Sequence, residues 1–65
     1  MKLLLHILED GKIYLVVFQF SGAHEAYLVG QGDKEWHEAR SKARLLFHSY
    51  EQIVGFGNVQ WEERP

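Results

Sequence analysis

Two apolar runs open the chain, Leu3-Leu4-Leu5-His6-Ile7-Leu8 and Ile13-Tyr14-Leu15-Val16-Val17-Phe18-Gln19-Phe20, separated by Glu9-Asp10-Gly11-Lys12. An Asp-Gly pair between β-prone runs predicts a two-residue hairpin turn, in which both turn residues take positive φ. Such a turn would pair Leu8 with Ile13, His6 with Leu15 and Leu4 with Val17. The β-branched and aromatic content of the second run suits a strand. A turn at Ser21-Gly22 then leads to a shorter third strand from His24 to Val29, with Leu15 beside Leu28 and Val16 beside Tyr27.

Gly30-Gln31-Gly32-Asp33 ends the strands, and Asp33 is placed to cap a helix through its carboxylate. From Trp36 the period becomes helical. Trp36, Ala39, Ala43, Leu46, Phe47, Tyr50 and Val54 fall within an arc of about 120° at 100° per residue. Glu38 and Lys42 support the outer side as an i,i+4 pair. The helix should stop between Tyr50 and Gly55, with Gly55 or Gly57 supplying the turn. Val59-Gln60-Trp61-Glu62 alternates as a half-buried strand would, and Glu63-Arg64-Pro65 is expected to fray. Residues 1–65 therefore read as a single α+β domain, β-β-β-α-β: an antiparallel sheet of three to four strands with one amphipathic helix on one face.

With the two-residue turns, one sheet face carries Leu3, Leu5, Ile7, Tyr14, Val16, Phe18, Tyr27 and Val29. The other carries Leu4, His6, Leu8, Ile13, Leu15, Val17, Ala26 and Leu28. Both are apolar, whereas a solvated antiparallel face should alternate to polar. A helix of about five turns covers one of them, and the other is left as a patch larger than monomers usually expose. A homodimer packed face to face is the expected remedy. The aromatic-bearing set, Leu5, Ile7, Tyr14, Val16, Phe18 and Tyr27, is the expected interface with a second copy or another protein, because interfaces are enriched in aromatics.

Composition sharpens this picture. A 65-residue chain with 46% apolar and 14% aromatic residues is foldable, but its core is small. It has no cysteine, so neither disulfides nor thiolate metal sites can reinforce it. A formal charge of −2 gives no general attraction for nucleic acid or anionic lipid. The first apolar run is too short to span a membrane and lacks a signal-peptide cleavage pattern. A cytoplasmic protein with no membrane partner is the resulting expectation.

Candidate chemistry is sparse. His37 and His48 share a helix azimuth but lie about 16 Å apart along the axis, too far to share an ion. His6 and His24 are separated by the expected strand pairing. No serine sits in a strained elbow or beside a base. Gly30-Gln31-Gly32 lacks the third glycine of a phosphate loop, and Asp33 would repel an anion there. The expectation is a non-enzyme with no metal and no cofactor.

Two further features suggest binding. His37, Arg40, Arg44 and His48 form a stripe on the outer side of the helix, with Leu45 outside the apolar arc and near the side opposite it, and together they are a candidate partner-contact stripe. Val54-Gly55-Phe56-Gly57-Asn58-Val59-Gln60-Trp61 is similar to the longer motif of RNA-recognition domains, although Val54 stands for the basic residue and Asn58 for a stacking aromatic. An RNA-binding module using Phe56 and Trp61 with Arg40 and Arg44 is thus the alternative.

Gln31-Gly32-Asp33-Lys34-Glu35-Trp36-His37-Glu38-Ala39, with Ala43 beyond it, resembles the Gly-Asp-Thr-x-Glu-Glu-Ala segment of HicB-like antitoxin N-terminal domains. Glu9-Asp10-Gly11 before a strand holding Tyr14 and Val16 is similar as well. Lys34 replaces the family's threonine, and Trp36-His37 separates the acids. The resemblance implies strands followed by a helix and another strand, and a dimer that neutralises a small ribonuclease toxin by binding it. A small viral inhibitor of a host defence system belongs to the same physical class.

Overall fold

The computed structural model describes residues 1–65. Its elements run β1 (Lys2–Ile7), β2 (Lys12–Phe18), β3 (His24–Gln31), a 3-10 turn (Asp33–Glu35), α1 (Trp36–Val54) and β4 (Gln60–Arg64). The sheet order is β3-β2-β1-β4. β1, β2 and β3 form an antiparallel meander, while β4 lies parallel to β1 at the far edge. The fold is α+β with one helix on one sheet face. No helix is long and apolar enough to cross a membrane.

The hairpin register differs from the two-residue expectation by one position. Leu5 pairs with Leu15, His6 with Tyr14 and Ile7 with Ile13. The loop holds three residues: the Leu8 N–H donates to the Lys12 carbonyl and the Gly11 N–H to the Leu8 carbonyl, both at 2.9 Å. Only Gly11 takes positive φ, at 88°, and Asp10 does not. Instead, the Asp10 carboxylate accepts from the Lys12 N–H at 3.0 Å, a local side-chain turn that competes with the two-residue form. A three-residue loop ending in a left-handed glycine is the next commonest hairpin connection.

The second loop repeats this geometry. The Gln19 N–H donates to the Ala23 carbonyl and the Gly22 N–H to the Gln19 carbonyl, with Gly22 at φ 91°. Leu15 accordingly faces Tyr27, and Val16 faces Ala26.

A one-residue slip moves every side chain of a strand to the other face. The buried core is therefore Leu3, Leu5, Ile13, Leu15 and Val17 under Ala39, Ala43 and Phe47, closed by Val59. Trp36, Tyr50, Val54 and Trp61 pack partly buried against it. This corrects the expected interface set. Leu5 is fully buried in the core, and Ile7 packs against it. Tyr27 pairs with Leu15 and so lies on the helix side of the sheet. Only Tyr14, Val16 and Phe18 belong to the uncovered face.

Asp33 does not cap the helix. It begins the 3-10 turn, and neither that turn nor α1 has a side-chain N-cap bond. Gly30 serves packing rather than turn geometry: a Cβ there would stand 3.2 Å from Ile13 Cδ1 and 3.4 Å from Ala39 Cβ. At the other end, the Asn58 side-chain amide donates to the Val54 carbonyl at 2.8 Å, so it closes the last helical turn. The tail is paired as far as Arg64, because β4 runs alongside β1 instead of fraying.

Leu5→Ala should cost about 2–5 kcal/mol through transfer and cavity terms, whereas Leu45→Ala, at a position 70% exposed, should change stability by about 0.5 kcal/mol or less. Urea denaturation of both variants checks this. Equal losses would contradict the face assignment.

Candidate functional site

The uncovered face can be read row by row from the pairing. Its first row is His24, Phe18, Lys2 and Gln60; its second is Ala26, Val16, Leu4 and Glu62; its third is Leu28, Tyr14, His6 and Arg64. No other element lies on it. The β3 and β2 columns are mainly apolar, the β1 column holds Leu4 between Lys2 and His6, and the β4 column is polar. Leu4, at the centre, is only 7% exposed because its neighbours already shield it. Phe18, Tyr14 and Val16 are half-buried, and Leu28 is 59% exposed. The Phe18 and His24 rings stack at a tilt, 5.7 Å apart.

The polar column neutralises itself. Glu62 pairs with Lys2 and accepts from Arg64 Nε at 2.6 Å. The hydrogen bond from Lys2, and then that from Arg64, hold the Glu62 carboxyl below its ordinary range.

On the helix side, β4 is clamped to α1. Arg40 Nε donates to both Glu63 oxygens at 2.9 Å. The Trp61 indole N–H donates to the same carboxylate at 2.8 Å. Arg44 lies over the Phe47 and Trp61 rings, 4.8 and 5.0 Å from their centroids, and those rings meet edge-on at 5.6 Å. The Trp61 hydrogen bond lowers the Glu63 pKa most. Partial burial opposes it, and Arg40 and Arg44 assist it.

The expected partner-contact stripe is thus divided. Arg40 and Arg44 are engaged within the molecule. His48 Nδ1 lies 3.1 Å from Glu51, and His37 and Leu45 are exposed. The arginines' destination was visible in part as two cations at i,i+4 on the helix with Trp61 and Glu63 at i,i+2 on the last strand. The RNA-motif residues do not form a stacking surface. Val59 is buried in the core, Trp61 faces the helix, and Phe56 stands alone at 77% exposure.

A second apolar region was missed in the sequence. β3 is exposed over His24–Leu28, and Tyr27 is 48% exposed on the helix side. Its hydroxyl donates to Glu25, a bond that raises the Tyr27 pKa. Arg40 and Arg44 fix which flank of α1 faces β4. Helical periodicity places Leu46 and Ile53 on the opposite flank, toward β3, at 38% and 76% exposure. Ile53 next to Leu46, just beyond the buried arc, was the available signal.

No group of three or more metal-ligating side chains converges. Of two hollows at the ends of the sheet, one brings Glu9 and Asp33 to its rim beside Leu8 and Pro65, with no cation or nucleophile beside them. The other lies between Met1, Phe20 and Asn58. No protein-family model matches the chain, and no curated protein or solved structure matches it either.

Because the Glu63 pKa is depressed below its ordinary 4.5, the clamp's contribution is complete above the unfolded value. It is lost as pH falls through the folded one. Glu63→Gln should therefore be less stable near neutrality, with a flatter loss of stability between about pH 5 and pH 2. Thermal melts across that range check it; an unchanged acid limb would count against the clamp.

Proposed function

We propose that this chain is a small homodimeric protein-interaction module that acts without catalysis, as an inhibitor or regulator of a protein it binds through its uncovered sheet face. The observation that carries the proposal is the apolar surface of that face, from Leu28 and Ala26 across Val16, Tyr14 and Phe18 to Leu4. An antiparallel face kept in water would normally place polar residues there. The charged groups beside it are engaged in ion pairs and hydrogen bonds: Glu62 pairs with Lys2 and Arg64, and Glu63 anchors Arg40 and Trp61.

The antitoxin-like form is the most concrete version. It rests on Gly32-Asp33-Lys34-Glu35 and the helix that follows, which resemble the Gly-Asp-Thr-x-Glu-Glu-Ala segment of HicB-like domains. In that form the partner is a small ribonuclease, and the chain works in the cytoplasm by covering the partner's surface. An apolar face suits this task because shape and burial can hold a partner whose charge is not matched.

Sedimentation equilibrium should give twice the 7.6 kDa chain mass. As bait in native lysate from its source, the chain should retain a protein in stoichiometric amount. Val16→Glu, which puts a charge at the centre of the face, should reduce that retention at least tenfold. Adding the wild-type chain should lower the retained protein's activity, with ribonuclease assayed first. A monomer that retains nothing, or retention indifferent to Val16→Glu, would refute the proposal.

A further inference from the structure

The two edges of the sheet are built differently. β4 is five residues long, carries Glu62, Glu63 and Arg64, and is followed by Pro65, which has no N–H to offer. Charge, short length and proline are the usual means of keeping an edge strand from pairing with another chain. β3 is eight residues long, and along His24-Glu25-Ala26-Tyr27-Leu28 it has neither lysine nor proline and a single carboxylate, Glu25. Apolar surface flanks this edge on both sides: Leu28 on the uncovered face, Tyr27 with Leu46 and Ile53 on the helix face.

The ladder shows which peptide groups are free. In an antiparallel pair, hydrogen-bonded and non-hydrogen-bonded positions alternate. The Gln19 N–H bonds to the Ala23 carbonyl, so with the observed register Ala23, Glu25 and Tyr27 turn their peptide groups toward β2. His24, Ala26 and Leu28 turn theirs outward.

We infer that the outer edge of β3 is the homodimer contact: two copies pair β3 to β3, antiparallel, about a two-fold axis through Ala26, and join their sheets into one. Facing residues of an antiparallel pair share a sheet face, so a two-fold must pass through a residue position, not between two. Of the positions along this edge, Ala26 alone matches all three outward residues, His24 with Leu28 of the second copy, Ala26 with its counterpart and Leu28 with His24. This register ends at Leu28, where the regular pairing with β2 also ends before the shift to Ile13 and Gly30. On the helix side it sets Glu25 opposite Tyr27 of the second copy, so no like charges stand directly opposite.

Stacking the uncovered faces is the competing geometry. It would take Lys2, Glu62 and Arg64 out of water, at a cost their mutual pairing does not remove. It would also gain little at Leu4, which is already buried. Edge pairing leaves those charges solvated and places both uncovered faces side by side on one surface of the joined sheet. This inference rests on the homodimer proposed above and specifies how it forms. An interface of one strand pair with its flanking side chains falls below about 1,200 Å², in the weak class, so dissociation on the order of micromolar is expected.

Sedimentation equilibrium on the full chain, from low to several hundred micromolar, tests the pairing. Ala26→Pro removes an N–H that points away from β2, so it should preserve the circular dichroism spectrum while weakening the dimer at least tenfold. Val16→Glu should leave the dimer intact. Should Ala26→Pro fail to fold, single thiols decide, since the wild-type chain has no cysteine. Under mild oxidation Ala26→Cys should cross-link to a covalent dimer far faster than Val16→Cys, because facing Cα atoms on the axis lie about 5.5 Å apart. A dimer lost on Val16→Glu but unaffected by Ala26→Pro, or cross-linking faster through position 16, overturns edge pairing and leaves the homodimer standing. A wild-type monomer throughout overturns both.

Discussion

α1 is the only element packed on a sheet four strands wide, and it is tied down toward one side. Arg40, Arg44 and Phe47 fasten it to Trp61 and Glu63 on β4, while the aliphatic core of β1 and β2 lies beneath its small residues, Ala39 and Ala43. Those alanines let the helix approach closely, and Gly30 extends that approach to the end of β3. The cost of this placement is coverage. One helix leaves Tyr27 and Glu25 on the edge strand exposed, and nothing at all lies on the reverse face.

The result is a molecule with a finished side and an unfinished one. Around β4, charges are paired and the edge is guarded. Around β3, the peptide groups are free and apolar side chains remain in water on both faces of the strand. In so small a chain, where buried area is scarce, such a division is a reason to expect association.

Much of this architecture can be read in the sequence. The change of period at Trp36, the apolar arc to Val54 and the stop at Gly55 define the helix, and the runs on either side of Asp10-Gly11 define the first hairpin. What could not be read is parity. Every position from Ile13 to Phe18 is apolar, so the pattern does not say which alternate set faces the helix. The loop decides, and its length depends on whether Asp10 enters a left-handed conformation or bonds to the Lys12 N–H. Asp33 was misread for a related reason: a 3-10 turn intervenes, so the helix begins three residues later, at Trp36. The excess of apolar β-surface was legible, but its division between faces was not: Tyr14, Val16 and Phe18 lie on the uncovered face, whereas Leu5, Ile7 and Tyr27 lie on the helix side. The parallel placement of β4 left no mark in the local pattern, so the employment of Arg40 and Arg44 could not be foreseen from the helix alone.

Both hairpin loops carry the same additional residue, and their effects cancel between the outer strands of the meander. β1 and β3 keep the relative orientation that shorter connections would have given them, and β2 alone is inverted. That strand is also the one able to present either of two hydrophobic sets, aliphatic Ile13, Leu15 and Val17 or the bulkier Tyr14, Val16 and Phe18. Paired deletions, one in each connection, would rotate this central ribbon by half a turn and exchange interior for exterior without disturbing its neighbours. The chemical character of the exterior is thus written in the connections, where insertions and deletions are most easily tolerated.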